Sequence, residues 1–346
     1  MTTAPSPLRL GPNQPDRPYR GGEGIAAFRG LPQPSEFSPE DFVASTTEIF
    51  AGGGIGLSTL PSGELFRAVI QEDPESWLGA EHVARFGTST ELLVKLLDTA
   101  ERLFVHVHPD VAFAREHLSL GHGKTEAWIV VDVRPEAEGF AWLGFTRDVG
   151  VDEAADWVRG QRAEEMLAAM HRVPLAPGST LLVPAGMVHA IGPGITLVEL
   201  QEPTDLSILL EWQGYRSLGA QDAFLGLDRE VALSAVDRSA TAPERLAQLA
   251  SGRGAAGGPV EPLFPEEADA FFRAERIRAV DEEVALDAGF SILVVLDGAG
   301  ALGWNGERMT VRRGETLVVP HAAGPLTLGG SVTGIRCRPP VPDPAH

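Results

Sequence analysis

The chain has 346 residues and a formal net charge of −20, which argues against nucleic-acid or anionic-membrane partners because their phosphate groups would be repelled. Hydrophobic residues make up 43% of the sequence, enough to bury a sizeable core and to exclude global disorder. The one cysteine, Cys337, excludes an intrachain disulfide and fits a reducing cytoplasm.

Short strands separated by turns dominate the predicted elements, after an irregular arm at residues 1–35 that is rich in proline and glycine. Apolar runs predict strands at 39–48, 54–60, 92–97, 103–108, 127–133, 139–146, 179–184, 195–200, 206–212, 289–296, 308–313, 315–319 and 325–328. Helices are predicted at 74–86, 111–118, 152–170 (with Asp152 as a candidate cap) and 220–252.

The order of these elements is strands, helices, then strands, without a regular β–α alternation. This order predicts a mainly β fold of antiparallel barrels with helical insertions. A stretch rich in glycine and proline, 252–265, is predicted to be a linker. We therefore expect a first barrel with its N-terminal arm at 1–215, a helical connector and linker at 216–265, and a second barrel at 266–346.

No stretch reaches the roughly 18 apolar residues of a membrane span, and the N-terminus lacks the apolar region of a signal peptide. The sequence thus predicts a soluble, cytoplasmic protein.

The residues that carry chemistry begin at His106-Val107-His108. On a strand, residues i and i+2 point to one face, so both imidazoles are aimed into the same space. Glu126 stands immediately before an apolar strand, and a later strand and turn deliver His189. Three imidazoles and one carboxylate are good ligands for Zn²⁺, with Fe²⁺ and Mn²⁺ as alternatives.

The other histidines are not expected to bind the metal, although His117 and His122, which lie between the two motifs, could support its ligands. His82, His171 and His346 are predicted to be solvated, and His117 and His122 to lie on the surface. His321 follows a second glycine–strand–proline pattern that no H-x-H motif precedes. The C-terminal strands therefore predict either a second barrel without a metal, which would serve packing or dimerisation, or simply a closing β-sheet.

The combination of H-x-H, a later glutamate and G-x5-P-x-G-x2-H resembles the two sequence motifs of the cupin superfamily. This resemblance implies two cupin (jelly-roll) barrels in tandem, the second of them degenerate. More narrowly, the chain resembles the class I (type I) mannose-6-phosphate isomerases. The family's motifs appear at His106-Val107-His108-Pro109-Asp110, Gly123-Lys124-Thr125-Glu126, Pro184-Ala185-Gly186-Met187-Val188-His189-Ala190 and Tyr19-Arg20-Gly21-Gly22.

The resemblance implies a metal-dependent aldose–ketose isomerase of carbohydrate metabolism that interconverts mannose 6-phosphate and fructose 6-phosphate. It implies metal ligands at His108, Glu126 and His189, and a fourth at His106, where the family has a glutamine. Such a metal would polarise the substrate oxygens during the transfer of a proton between C1 and C2.

Five further residues are implied for the reaction or for the sugar. Lys124 would be a catalytic-site cation and Glu199 would line the sugar pocket, and these two are the candidates for proton transfer, Glu199 being the preferred base. Gln201 lies in the segment 199–205, which resembles the family's E-x-Q-Q-x-S-D, and Arg20 lies in the Tyr19–Gly22 motif. Both are expected to bind the substrate. Trp212 could stack on the sugar ring or simply fill the core.

The chain departs from the family at positions that would hold the substrate's phosphate. The family's lysine and serine fall on Ala100 and Phe104, and its arginine has no counterpart at residues 206–212, although Arg102 or Arg216 could compensate. Because a phosphate needs convergent Arg or Lys donors, we expect a sugar without phosphate or with a differently placed polar group.

Two other functions stay open at this point. A cupin-type iron oxygenase would use the same three histidines and glutamate, and a non-catalytic sugar-binding cupin would keep a structural metal. The intact G-K-T-E motif favours the isomerase. The expected partner is a small sugar, with no nucleic acid or membrane partner, and the chain could form a homodimer.

Overall fold

The computed structural model describes residues 5–253, 257–280 and 282–341. Its strands are β1 (Leu8–Leu10), β2 (Glu40–Val43), β3 (Leu93–Asp98), β4 (His106–Val107), β5 (Glu126–Val133), β6 (Phe140–Phe145), β7 (Met170–Pro174), β8 (Thr180–Val183), β9 (His189–Ile191), β10 (Ile195–Gln201), β11 (Ile208–Leu209), β12 (Val260–Pro262), β13 (Arg273–Ala279), β14 (Val284–Leu286), β15 (Ser291–Trp304), β16 (Glu307–Arg312), β17 (Thr316–Val319) and β18 (Leu326–Arg338).

The helices are short and lie mostly between the strands of the first half of the chain. They are α1 (Glu23–Arg29), α2 (Phe66–Glu72), α3 (Pro74–Leu78), α4 (Ala80–Phe86), α5 (Val111–Phe113), α6 (Val151–Gly160), α7 (Ala163–Ala168), α8 (Arg229–Leu233) and α9 (Pro243–Leu249). A π-helical turn at Ala114–Leu118 follows α5, and 3₁₀ turns lie at Ala220–Asp222, Glu266–Ala270 and His321–Ala323. None of the helices in the part of the chain that the structure describes is long and apolar enough to cross a membrane.

Two five-stranded antiparallel sheets form the first barrel. The first sheet has the order β2-β3-β10-β5-β8, and the second has the order β11-β4-β9-β6-β7. Their inner faces share one core, in which Trp128 and Leu97 of the first sheet cluster with Leu143 and Ile191 of the second. This is the predicted mainly β, jelly-roll architecture.

The outer face of the second sheet is covered by the helical insertions. Val107 of β4 and the neighbouring Val188 belong to a buried cluster that also contains Trp157 of α6, Met166 of α7 and Leu233 of α8. Because side chains alternate along a strand, the residues next to these valines point away from the helices and into the barrel.

An eight-stranded antiparallel sheet forms the C-terminal half, with the order β1-β17-β15-β18-β13-β12, β14 pairing with β18, and β16 with β15. The long strands β15 and β18 pair from Ile292 opposite Cys337 to Trp304 opposite Leu326. Strand β1 comes from the N-terminal arm, which was expected to be irregular, and pairs antiparallel with β17. The arm therefore ties the two halves together.

Three predicted helices differ in the structure. The segment 74–86 is broken at Gly79, whose φ of 93° ends α3 and starts α4. The segment 152–170 is split at Gln161, which has a φ of 49°, and Gly150 rather than Asp152 stands at its N-cap. The segment 220–252 holds only a 3₁₀ turn, α8 and α9.

The predicted strands at 103–108 and 206–212 are reduced to the two-residue strands β4 and β11. One reason is that the backbone N–H of Val105 donates to a carboxylate oxygen of Glu211 rather than to a neighbouring strand. The predicted linker contains β12, and its residues 254–256 lie outside the described residues.

Candidate metal centre and active site

Strands β4 and β9 bring three imidazoles together inside the first barrel. His106 lies directly opposite His189 across the β4–β9 pair, and their ring centroids are 4.0 Å apart. The ring of His108 is 4.9 Å from each of the other two. All three side chains are buried, and each offers a ring nitrogen within 4.8 Å of the others.

The protein backbone fixes which nitrogen of each ring faces the centre. Nδ1 of His106 lies 2.9 Å from the Phe104 carbonyl oxygen, Nδ1 of His108 lies 2.6 Å from that of Leu206, and Nδ1 of His189 lies 2.9 Å from that of Met187. A carbonyl oxygen can only accept, so each Nδ1 must carry the proton. In a neutral ring Nε2 then holds the free lone pair, the form that binds a metal.

Glu126, the first residue of β5, adds its carboxylate to this group. Its Oε2 is 3.0 Å from His108 Nε2, and its Oε1 is 3.3 Å from His189 Nε2. Two ligands that are each about 2.0–2.2 Å from one tetrahedral ion lie roughly 3.3 Å from each other. The indole Nε1 of Trp128 donates to Oε1 at 2.9 Å and so holds the carboxylate in this position.

The chemistry of these atoms fits a shared cation. Glu126 Oε2 and His189 Nε2 are fully buried and make no hydrogen bond within the described residues. The lone pair of neutral His108 faces a carboxylate oxygen, and two such acceptors attract each other only through a positive charge, which the nearby Lys124 ammonium supplies in part and a bound cation would supply directly. The four predicted ligands His106, His108, Glu126 and His189 therefore converge on one point that a divalent cation could occupy.

The protonation states suit ligation. Burial and the neighbouring imidazoles hold the pKa of His106 well below its usual range, and burial together with the Lys124 ammonium lowers the pKa of His108 to about 3. Burial opposes ionisation of Glu126, but Lys124 and His108 outweigh it and hold the pKa of this carboxyl well below its usual range. The two imidazoles are thus neutral and the carboxylate is ionised near pH 7.

Lys124 lies beside the centre although it precedes β5 rather than belonging to it. Its Nζ is 3.1 Å from Glu126 Oε2 and 3.2 Å from His108 Nε2. The loop before it passes so close to the backbone of residues 109–111 that a Cβ at Gly123 would approach the Pro109 oxygen to 2.7 Å. Glu202 accepts from the Gly123 and Thr125 backbone N–H groups, so the G-K-T-E segment is held on both sides.

Glu199 lies in the middle of β10, opposite Trp128 of β5 and Lys95 of β3. Its carboxylate is buried, and its Oε2 makes no hydrogen bond within the described part of the chain, although Lys95 Nζ lies 3.7 Å away. Burial and the negative charge of Glu126 raise the pKa of Glu199 to about 7. A carboxyl group with this pKa can both accept and donate a proton at neutral pH.

The three predicted sugar-binding residues lie outside the lining of the cavity beside the centre. Gln201 is buried and donates to the carbonyl oxygens of Glu202 and Thr204. Arg20 is half exposed and pairs with Glu36 and Glu101. Trp212 packs edge-on against Phe224.

A cluster of four charged side chains, two of them buried and two partly buried, lies where the sequence analysis assigned no role. Arg17 contacts Glu40 at 2.9 Å and Asp205 at 3.2 Å, and Lys95 Nζ contacts Asp205 at 2.9 Å and Glu40 at 3.1 Å. Burial opposes ionisation of Asp205, but Lys95 and Arg17 outweigh it and lower its pKa. A charged residue within the apolar run Leu92–Leu97 was the one sequence signal of this cluster.

Two neighbouring cavities lie beside the centre. The inner cavity, about 30 Å³, is lined by His106, Glu126, Lys124, Glu199 and the charged cluster. The outer cavity, about 430 Å³, shares four lining residues with the inner one: Arg17, Phe104, Asp205 and Ser207. Those four residues therefore form the wall between a centre with room for about one water molecule and a chamber large enough for a small ligand.

Of the other histidines, His82 is buried where it was expected to be solvated, and His346 lies outside the part of the chain that the structure describes. Nε2 of His82 lies 2.7 Å from the Ser89 carbonyl oxygen, and burial lowers the pKa of His82. His122 is half-buried beside Glu91, and His321 begins an exposed 3₁₀ turn against Gly79.

Known mannose-6-phosphate isomerases match this chain in both of its halves. The family model for the mannose-6-phosphate isomerase cupin domain matches residues 263–339. The putative mannose-6-phosphate isomerase YvyI of Bacillus subtilis is 26% identical over 336 residues, which is 95% of this chain and 97% of that protein. Mannose-6-phosphate isomerase ManA of B. subtilis is 35% identical over 212 residues, which is 61% of each chain.

Solved structures establish the fold over nearly the whole chain. A mannose 6-phosphate isomerase from B. subtilis has a TM-score of 0.75 and 23% identity, and the match covers 96% of this chain and 100% of that one. The mannose 6-phosphate isomerase from Salmonella typhimurium, bound to its substrate and a zinc atom, has a TM-score of 0.72 and 15% identity, covering 97% of this chain and 100% of that one. The chain therefore has the fold of the mannose-6-phosphate isomerases and is similar in sequence to that family of cupin proteins.

Proposed function

We propose that this protein is a metal-dependent sugar isomerase that interconverts an aldose and the corresponding ketose. The observation that carries the proposal is the position of Glu199, a buried carboxyl group with a pKa of about 7, in the same small cavity as the proposed ligands His106 and Glu126 and the Lys124 ammonium. A centre that only held a structural metal would have no need of a buried acid–base group beside it.

The proposed metal is Zn²⁺, with Fe²⁺ and Mn²⁺ as alternatives, and its proposed ligands are His106, His108, Glu126 and His189. A bound cation would polarise the substrate oxygens at C1 and C2 and would stabilise negative charge on them. Three imidazole nitrogens and one carboxylate oxygen are a donor set that each of these metals accepts, so the protein alone does not select among them.

The residues of the chain supply the proton transfer and the positioning. Glu199, as carboxylate, removes the proton from C2 of the aldose, and the resulting carboxylic acid returns a proton to C1, while the hydroxyl proton on O2 passes to O1; the reverse reaction uses the same steps backwards. The Lys124 ammonium, already beside Glu126 and His108, donates hydrogen bonds to a substrate oxygen that enters the inner cavity. Phe104 and the surrounding wall keep bulk water away from the reacting carbons.

A cupin-type iron oxygenase is the alternative that one observation favours, since His106 stands where the resemblance expects glutamine and the donor set is then three histidines and one glutamate. The two functions separate in one assay. If the iron form consumed oxygen and exchanged no sugar proton, the protein would be an oxygenase and the isomerase proposal would be wrong.

The central experiment measures the exchange of the sugar's C2 proton with solvent deuterium by NMR, using protein of known metal content. We expect exchange and isomerisation by the metal-loaded protein, loss of both on chelation, and recovery on adding Zn²⁺, Fe²⁺ or Mn²⁺. Glu199→Gln should lower the exchange rate by about 10²–10⁴-fold while the bound metal is retained.

The control for this variant is Glu244→Gln, which makes the same change at an exposed position on α9. If Glu199→Gln and Glu244→Gln exchanged protons equally fast, Glu199 would not be the acid–base group. If no sugar of any kind were turned over by the metal-loaded protein, the isomerase itself would be excluded.

A cytoplasmic location and a homodimer remain predictions from the sequence.

A further inference from the structure

We infer that the substrate of this site is a free sugar without a phosphate group, and that the end of the sugar remote from the carbonyl lies in the outer cavity. This inference rests on the proposed isomerase function and specifies its substrate class. It is carried by the charges that line the two cavities and by the contacts those charges already make.

The cations that could receive a phosphate are already neutralised inside the protein. The Arg17 guanidinium is paired with Glu40 and Asp205, and the Lys95 ammonium is paired with the same two carboxylates. Glu40 is buried, the side chain of Asp205 is only 6% exposed, and both form part of the wall, so they cannot swing out into solvent as a surface partner would. A phosphate would have to displace them and leave two buried negative charges unpaired.

The total charge around the path is unfavourable for a second anion. The described residues that line the two cavities include three cations, Arg17, Lys95 and Lys124, and five acidic groups, Glu40, Glu126, Glu199, Asp205 and Asp222. With every group ionised the balance is −2, so one divalent cation brings it to zero. A phosphate monoester adds a charge of about −1.5 to −2 near pH 7, whereas a free sugar adds none.

The outer cavity itself has the wrong chemistry for a phosphate. Among the described residues, Arg17 is the one cation that lines it, and its guanidinium is held at the boundary with the inner cavity. Much of the rest of the wall is apolar, including Phe50, Phe104 and Leu218. Phosphate sites need several Arg, Lys or backbone N–H donors that converge on one point.

The same wall suits an uncharged sugar. The Ser207 and Ser217 hydroxyls and the carboxylate of Asp205 can hydrogen-bond sugar hydroxyls, and the ring of Phe104 can pack against the C–H face of a sugar. A sugar whose carbonyl end is at the metal centre must extend past Phe104, because the inner cavity has room for about one water molecule only.

The test compares free and phosphorylated sugars on metal-loaded, full-length protein. The probes are D-mannose, D-fructose and D-glucose, their 6-phosphates, and inorganic phosphate as a competitor. We expect kcat/KM at least about tenfold higher for a free sugar than for its 6-phosphate, with no competitive inhibition by millimolar phosphate. A higher kcat/KM for the 6-phosphates would overturn the inference and leave the isomerase function intact.

Calorimetric titration of the same protein with D-mannose and with D-mannose 6-phosphate decides the point independently of turnover. Tighter binding of the 6-phosphate would overturn the inference even if neither sugar were isomerised. Equal or weaker binding of the 6-phosphate would support it. Absence of turnover for both sugars would count against the isomerase function alone.

A variant tests the placement of the sugar's far end. Gln221→Arg adds a cation at an exposed residue that lines the outer cavity, and it should raise the ratio of kcat/KM for the 6-phosphate over the free sugar by about three- to tenfold. Gln248→Arg makes the same change on α9, outside both cavities, and should leave that ratio unchanged. An equal effect of the two variants, or no effect of Gln221→Arg, would show that the outer cavity does not hold this end of the substrate.

Discussion

At the scale of single residues, the candidate centre depends on hydrogen bonds that do not touch the cation position. Each of the three histidines gives its Nδ1 proton to a backbone carbonyl, two of them to the carbonyl of the residue two positions earlier in the chain, as in the pair His189 and Met187. The backbone therefore sets the tautomer and orients the ring before any ligand arrives. Trp128 plays the corresponding part for the carboxylate of Glu126.

Replacing Trp128 by Phe tests this positioning role. The change keeps a buried aromatic ring but removes the indole N–H that donates to Glu126 Oε1. Because partners of this kind hold a ligand in its binding geometry, we expect metal affinity to fall by about 10–100-fold. The measurement is a competitive titration of the apoprotein with Zn²⁺ and a chromogenic chelator.

Trp142→Phe is the matched control, because Trp142 lies on β6 and is only half-buried. It should leave metal affinity unchanged. Equal affinities for wild type and Trp128→Phe, with the circular dichroism spectrum preserved, would contradict a positioning role for the indole.

The ligand set was predictable from the sequence, but the charged cluster was not. His106 and His108 are two residues apart on one strand, and the spacing alone sends both side chains to one side. The cluster draws Arg17, Glu40, Lys95 and Asp205 from four distant parts of the chain, and no local spacing relates them. Only the contacts made after folding reveal that Lys95, a lone charge in an apolar strand, has two carboxylate partners.

At the scale of elements, β4 and β9 each separate two environments. Val107 of β4 and Ala190 of β9 face the helices, whereas His106 and His189 face the barrel interior. The two-residue period of His106 and His108 is visible in the sequence, so the strand at 103–108 was predicted there, whereas β9 was not among the predicted strands. The breaks within the predicted helices were missed, because they depend on positive φ at Gly79 and Gln161, and apolar periodicity carries no signal for backbone handedness.

Gly79→Ala tests the break between α3 and α4. Gly79 has a φ of 93°, and a Cβ there would lie 2.6 Å from the ring of His321 in the C-terminal half. An alanine must adopt a backbone conformation that it disfavours and must also displace this ring, so we expect the free energy of unfolding to fall by about 1–3 kcal/mol. Urea denaturation followed by tryptophan fluorescence measures the change.

The control is Gly11→Ala, because Gly11 has open space around its Cβ position and no positive φ. It should change stability by less than about 0.5 kcal/mol. If both variants unfolded at the same urea concentration as the wild type, the close approach of Gly79 to His321 would not contribute to the stability of the protein.

At the scale of the whole molecule, the two halves share one hydrophobic core. That core includes Trp77 and Leu96 of the first half together with Val318 and Ile335 of the C-terminal sheet. Strand β1 of the arm pairs with β17, and the same arm carries Arg17 to the cavity wall. The C-terminal sheet therefore supports the site mechanically, although the metal-ligand group found among the described residues lies in the first barrel alone.

This shared core predicts that the halves unfold together. Phe290, just before β15, is buried and stacks on Phe66 of α2 with ring centroids 6.4 Å apart. Phe290→Ala should lower the free energy of unfolding by about 3–5 kcal/mol, because it leaves a cavity in the core common to both halves. Five of the six tryptophans precede residue 213, so fluorescence reports on the first barrel, and labelling of the single buried thiol, Cys337, reports on the C-terminal sheet.

In urea, the fluorescence and thiol-labelling midpoints should coincide in the wild type and should move down together in Phe290→Ala. Leu302→Ala is the comparison, since Leu302 is buried in the separate core of the C-terminal sheet. If the halves are one cooperative unit, even this distant change lowers the fluorescence midpoint of the first barrel. A thiol that became reactive at a urea concentration where the tryptophans still reported a folded barrel would mean that the C-terminal sheet unfolds independently, and that the site does not depend on its support.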